Sequence, residues 1–302
     1  MISKESQERI SKWYESPAFG ASGSFDLDGL RQGMATRIEP TNPTIRCIPA
    51  RIGDIVCEWV LAEDADPDLR MLYLHGGGYV SGSGARYLTL AGYISVAAKC
   101  AILLPDYRLA PEHPFPEAIE DCICAHKWLM DSGPTGEVPA KATFIAGDSA
   151  GGGLTLATLL ALRDRKLPLP KGGITLSAFA DLTLTGESIR SQEEYDPVMS
   201  PKCLPEFVKL YLGETDPRNP LASPIFGNYT GIPPLLIQVG EYEIIRDDSV
   251  QVAAKARADG VDVALEVWEG MIHVFQSQFE PLLPECREAI QHIANFMTQC
   301  LA

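Results

Sequence analysis

The chain has 302 residues, 46% hydrophobic and 22% charged, an ordinary globular balance with no segment biased enough for disorder. Its formal net charge of -15 excludes a phosphate-binding surface, since nucleic-acid affinity rests on clustered Lys and Arg. Nucleic acid is therefore not expected as a partner.

The first residues, MISKESQERISKWYESPAFG, interleave charge throughout and contain neither an apolar core nor a cleavage signal. This predicts a cytoplasmic protein. The most apolar helical candidate, Leu154 to Leu162, is far shorter than the roughly 20 residues a bilayer requires, so no transmembrane helix is expected. Cys47, Cys57, Cys100, Cys122, Cys124, Cys203, Cys286 and Cys300 form no C-x-x-C pair and have no His at metal spacing. No metal site is predicted; reduced, mostly buried thiols are.

Residues 1 to about 44 carry apolar surface on Trp13, Tyr14 and Phe19 with no obvious sheet to join, and are expected to form part of a helical cap. From about residue 45, β-rich runs alternate with helical patterns, which predicts a mostly parallel sheet covered on both faces. Candidate strands are Ile55 to Ala62, Arg70 to His75, Ala101 to Asp106, Thr143 to Ala146, Gly173 to Phe179, Leu235 to Val239 and Val263 to Trp268. Several are continuous apolar runs, as strands buried on both faces are. Helical patterns fall at about Tyr87 to Lys99, Pro116 to Met130, Ala150 to Arg163, Asp247 to Asp259 and Glu285 to Gln299. Residues 181–228 break this rhythm, with amphipathic stretches such as Leu204 to Leu212 among Pro, Gly and Asp, and are expected to complete the cap. The domain reading is thus 1–44 and 181–228 as cap, 45–180 and 229–302 as one α/β domain.

Gly147-Asp148-Ser149-Ala150-Gly151 fits G-x-S-x-G, where a serine sits on a tight strand-to-helix turn. The pattern alone is weak, but a β-run precedes it and a helix apolar on almost every side follows. Ser149 is the candidate nucleophile. His75-Gly76-Gly77-Gly78 follows the run Arg70 to Leu74, so residues without side chains bring backbone N–H groups to the sheet's carboxyl edge. With the N–H of Ala150, those of Gly77 and Gly78 could hold an oxyanion. A phosphate-cradling loop would need the P-loop Lys, which is missing.

In this chain order the base follows both nucleophile and acid, leaving His273 and His292. His292 falls inside the last helical pattern; His273 follows a strand and the Gly270 turn, which selects His273. For the acid, Glu241, Glu243, Asp247 and Asp248 lie close together. Glu243 stands four residues past Val239 on a loop. Asp247 and Asp248 open a helical pattern, where the helix dipole already favours acidic residues. Glu243 is the candidate acid.

These segments resemble the bacterial hormone-sensitive-lipase-like esterases of the α/β-hydrolase superfamily: HGGGYVSGS (His75 to Ser83), PDYRLAPEHPFPEA (Pro105 to Ala118), GDSAGG (Gly147 to Gly152), QVGEYEIIRDDS (Gln238 to Ser249) and GMIHVF (Gly270 to Phe275). The resemblance covers about residues 70 to 280. It implies an α/β-hydrolase fold with a helical cap, no cofactor, and hydrolysis of short- to medium-acyl carboxylic esters of small molecules. It aligns Glu243 with a position that is Asp in many of these esterases. Asp106 and Arg108 are expected to brace the turn beneath the nucleophile rather than touch substrate.

The motifs admit three rival readings. A chymotrypsin-like protease is all-β and places His and Asp before Ser, against the helix after Ser149. A non-catalytic receptor, as in gibberellin receptors of this resemblance that lack the His, conflicts with His273. An amidase or peptidase would use the same triad and stays open, as does a homodimer.

Overall fold

The computed structural model describes residues 2–15 and 25–302. Phe19 lies outside them. Among the described residues, eight strands form one sheet in the order β1-β2-β4-β3-β5-β6-β7-β8. They are β1 (Arg46–Ile52), β2 (Ile55–Leu61), β3 (Asp66–Leu74), β4 (Cys100–Pro105), β5 (Ala142–Asp148), β6 (Gly172–Leu176), β7 (Leu235–Tyr242) and β8 (Val263–Ile272). β1 and β2 form a hairpin, and β2 also runs antiparallel to β4; every later pairing is parallel. This is the α/β-hydrolase fold expected from the sequence.

The helices are α1 (Lys4–Glu15), α2 (Leu27–Met34), α3 (Leu88–Ala98), α4 (Glu117–Asp131), α5 (Ala150–Asp164), α6 (Ser188–Ser191), α7 (Leu204–Leu212), α8 (Arg246–Ala258) and α9 (Pro284–Leu301). Because strand side chains alternate, β3 sends Leu72 and Leu74 into one core and Met71 and Tyr73 into the other. The first core is closed by α4, α5 and α8 through residues such as Ile119, Leu159 and Val252. The second is closed by α3 and α9 through Ile94, Ile290 and Ile293. Each such side chain removed from water contributes about 1.5–3 kcal/mol, so both faces of the sheet must be covered. α5 lies in the middle, with every residue from Ala150 to Leu162 buried, as a helix apolar all round must be.

Several boundaries differ from the sequence reading. β3 starts at Asp66 rather than Arg70, and β6 ends at Leu176 rather than Phe179. Three further differences concern the sheet edge and the ends of β7 and β8. β1 was not anticipated; its Pro49 is tolerated because β1 is an edge strand. β7 continues to Tyr242, so Glu243 follows the strand directly and Glu241 lies within it. β8 continues through Gly270 to Ile272, with Tyr242 paired to Ile272 beyond a register shift. The Gly270 turn is therefore an irregularity inside a strand.

The N-terminal and mid-chain segments meet. Phe25 packs edge-on against Phe207 with ring centroids 5.1 Å apart, and the Tyr14 hydroxyl donates to the Tyr195 carbonyl at 2.7 Å. α2 is capped by Asp26, whose side chain accepts from Gly29 N–H at 3.0 Å. Its Arg31 then donates to the carbonyls of Val80 and Ala110, both at 2.8 Å, which fixes the helix above the glycine loop.

Candidate active site

The site lies at the carboxyl ends of the parallel strands, where α/β sheets gather their functional loops. Ser149 joins β5 to α5 with φ 50° and ψ -119°, a conformation that turns the chain sharply and is held from outside. Its N–H donates to the Leu176 carbonyl at 2.8 Å, while its own carbonyl accepts from Gly153 at 3.0 Å and Phe179 at 2.8 Å. A Cβ on Gly151 would collide with the Leu74 carbonyl, so only glycine lets α5 start this close to β3. The tight strand-to-helix turn at Ser149 is thus a product of close backbone approach.

The glycine loop after β3 is fixed from two sides. The Gly77 carbonyl accepts from the N–H groups of Val80 and Ser81, at 3.3 and 3.0 Å, and from the Ser81 hydroxyl at 2.8 Å. Gly77 adopts φ 129°, where a Cβ would strike the Ser81 carbonyl. Beneath it, the Asp148 carboxylate accepts from Gly76 N–H at 3.0 Å, Tyr73 at 3.0 Å and Tyr87 at 2.9 Å. Burial pushes the Asp148 carboxyl up to about 6, against these three donors. Ala150 begins α5, so its N–H has no acceptor four residues back within the helix.

His273 and Glu243 leave adjacent strands and meet. His273 Nδ1 stands 2.9 Å from Glu243 Oε2, with the imidazole buried and the carboxylate fully so. Glu243 Oε1 accepts from the Ser177 hydroxyl at 2.7 Å and from Gly240 N–H. Burial alone would depress the imidazole, but the hydrogen bond and charge of Glu243, with smaller help from Asp196 and Asp148, raise its pKa above the ordinary value. Such a ring is fixed in orientation, with Nδ1 occupied and Nε2 left for other work.

A cavity of about 460 Å³ brings these parts together: Gly77, Gly78, Ser149 and His273 all line it. Trp13, Met34, Val198, Met199 and Phe207 complete much of its apolar wall. Glu243 stands behind His273, away from the wall. The other acids are occupied elsewhere. Glu241 accepts from Gly270 N–H at 2.8 Å, Asp247 from Ser188 N–H at 2.9 Å, and Asp248 from the N–H groups of Ala180 and Asp181 at 2.8 and 2.9 Å. His292 sits on α9 against Glu266 at 2.8 Å.

The bracing expected of Asp106 and Arg108 falls in a different place. Asp106 accepts from Gly84 N–H at 2.7 Å, and Arg108 pairs with Asp121 and Glu117 of α4. The carboxylate that braces the glycine loop is Asp148, through Gly76 N–H, Tyr73 and Tyr87. Sequence reasoning passed over it, together with Ser177 and Asp196, although Asp148 stands at the variable position of the quoted pentapeptide.

Among the described residues no helix is long and apolar enough to cross a membrane, and no group of three His, Cys, Asp or Glu side chains could hold a metal. Cys57, Cys100 and Cys286 are buried, and burial pushes their thiols up to about 12, which makes them poor nucleophiles.

Residues 71–277 match the family model described as the alpha/beta hydrolase fold. An acetyl-hydrolase of Streptomyces hygroscopicus is 40% identical over 247 residues, 82% of this chain and 80% of that protein. An esterase of Acinetobacter venetianus is 35% identical over 263 residues, 87% of this chain and 85% of that one. Among solved structures, EstE5 soaked by p-nitrophenyl butyrate superposes with a TM-score of 0.91 and 41% identity, over 99% of this chain and 100% of that one. An esterase from the bacterial hormone-sensitive lipase family superposes with a TM-score of 0.89 and 37% identity over 100% of both chains. The chain belongs to the α/β-hydrolase family and, within it, to the hormone-sensitive-lipase-like esterases: it is a carboxylic ester hydrolase.

Proposed function

We propose that this esterase cleaves short- to medium-acyl esters of small molecules through an acyl-enzyme, with Ser149 as nucleophile, His273 as general base and Glu243 as the acid that orients it. The carrying observation is that His273, which lines the same cavity as Ser149, has its Nδ1 2.9 Å from the buried carboxylate of Glu243 behind it. In this reading Nε2 takes the Ser149 proton as Oγ attacks the ester carbonyl, and Glu243 stabilises the imidazolium that forms. The negative charge developing on the carbonyl oxygen meets the N–H groups of Gly77, Gly78 and Ala150, donors that need no reorganisation and lower the barrier by several kcal/mol. His273 then protonates the departing alcohol. Water, deprotonated by the same imidazole, releases the acid and restores Ser149.

The same proposal makes residues 1–44 and 181–228 a cap over the acyl site. Trp13, Met34 and Phe207 on the cavity wall, and the Phe25–Phe207 contact, support it. EstE5 was soaked with a butyrate ester, in keeping with a short acyl group here. The test is turnover of p-nitrophenyl esters of graded acyl length by the parent and by Ser149→Ala. The parent should favour the shorter members, and the variant should lose several orders of magnitude in kcat while melting cooperatively. Near-normal turnover by Ser149→Ala would refute the assignment.

A further inference from the structure

The mid-chain segment is stitched to the loop that carries Glu243. Ser188 N–H donates to Asp247 Oδ2 at 2.9 Å, Asp247 N–H donates back to Ser188 Oγ at 3.1 Å, and that hydroxyl donates to the Ile244 carbonyl at 2.8 Å. Tyr195 stacks on Tyr242 with ring centroids 5.5 Å apart. Between these contacts lies Asp196, a carboxylate only 8% exposed. Its Oδ2 accepts from the N–H of Ile244, the residue after Glu243, at 2.9 Å. Its Oδ1 accepts from Val198 and Met199, both at 2.9 Å, and both residues line the cavity. One side chain therefore spans the substrate wall and the acid loop.

We propose that Asp196 is a positioning residue that sets the Glu243 loop against the cavity wall and adds its buried negative charge to those of Glu243 and Asp148 in support of the His273 imidazolium. This rests on the base and acid roles given above. A carboxylate is suited to the task because two oxygens collect three N–H groups from two segments, which an amide cannot do without opposing its own NH2 to one of them. Its charge also acts over a longer range than its hydrogen bonds, since the surroundings are dry. The Asp196 charge is among those that raise His273. Burial pushes the Asp196 carboxyl itself up to about 6, opposed by the charge of His273 and by its three backbone donors. The other groups that face it are Tyr14 from α1 and Cys203 at the start of α7. Neither is a cation, so His273 is the positive charge this carboxylate addresses when the imidazole is protonated.

The test compares Asp196→Asn and Asp196→Ser with Ser188→Ala, which loosens the same stitching without removing charge. Ser149→Ala is assayed beside them. Losing the negative charge destabilises the imidazolium, so the acid limb of kcat/KM should move down by about half a pH unit, with kcat about three- to tenfold lower. Ser188→Ala should lower the melting temperature and leave the limb in place. An unmoved limb and a kcat within about twofold of the parent in the uncharged variants would overturn the proposal. So would an equal shift in Ser188→Ala, or failure of both uncharged variants to fold while Ser188→Ala folds, because Asp196 would then serve stability alone. Retained turnover in Ser149→Ala would instead remove the reading beneath the proposal, so the two failures are distinguishable.

Discussion

The Ser177 hydroxyl donates to Glu243 Oε1 at 2.7 Å and accepts the N–H of Val274, the residue after His273, at 3.0 Å. A single atom just past the end of β6 thus ties the Glu243 loop to the His273 loop. Ser177 itself is held by an N–H bond to the Gln238 carbonyl at 2.7 Å and adopts φ 53°. Replacing it by Ala leaves a buried carboxylate oxygen with one donor fewer and the Val274 N–H without that acceptor. Bonds to charged groups contribute about 1.5–3 kcal/mol, so Ser177→Ala should lower kcat by about tenfold. KM should change little, because the hydroxyl does not line the cavity. Steady-state kinetics on a p-nitrophenyl ester check this, and an unaltered kcat would show that the loops keep their geometry without it.

Glu243→Gln and Asp247→Asn separate two neighbours with opposite duties. An amide at position 243 can still meet Nδ1 but cannot support the imidazolium with charge, and it can select the wrong tautomer. The expected loss in kcat is about 10³-fold or more. Asp247 binds Ser188 at the start of α6, so Asp247→Asn should cost stability and less than about fivefold in kcat. A large loss confined to Asp247→Asn would transfer the acid role.

The pH profile follows from the direction of the His273 shift. The imidazole acts as a base only when neutral, and it is neutral only above its folded-state pKa. Burial opposes protonation, but the hydrogen bond and charge of Glu243 outweigh it and raise that pKa above the ordinary value. Activity should therefore fall on the acid side at a higher pH than an unperturbed imidazole of about 6.5 would give. In Glu243→Gln the residual activity should have its acid limb displaced downward. The measurement is kcat/KM against pH, which reports the free enzyme; an acid limb below about 6 in the parent would contradict the raised imidazole.

What was legible in the sequence divides along a physical line. The elbow could be read because its constraint is local: Gly151 must lack a Cβ where Leu74 passes, and the motif records that need within five residues. The place of His273 at the sheet's carboxyl edge could be read because chain order and strand position left few competitors. Asp148, Ser177 and Asp196 could not. The partners that tie each of them to another segment lie 48 to 97 residues away in the chain, and no periodicity records such a contact. The ends of β7 and β8 were misread for a related reason. Gly240 and Gly270 look like strand terminators in isolation, yet pairing between the two strands carries the ladder past both. β1 failed the opposite way, since Arg46, Pro49 and Arg51 disguise an edge strand whose register is set entirely by its hairpin with β2.

The acyl preference should respond most to Phe207. This side chain stands on α7, lines the cavity, and lies so close to Gly78 that a Cβ there would run into its ring. Phe25 supports it edge-on at 5.1 Å. The ring therefore fills cavity space beside one of the proposed oxyanion donors, space that its removal would free for a longer acyl chain. Phe207→Ala should open that space without touching Ser149, His273 or Glu243. Each methylene accommodated in an apolar pocket is worth about 1–3 kcal/mol, so the ratio of kcat/KM for an octanoyl ester over a butyryl ester should rise by about tenfold or more. Part of the burial energy of the ring is lost in return, and the melting temperature should fall. Phe207→Leu, which retains an apolar side chain of intermediate size, should give an intermediate ratio. If both variants keep the parental ratio while remaining folded, the chain-length limit lies elsewhere on the wall, with Met34 and Met199 the next residues to vary.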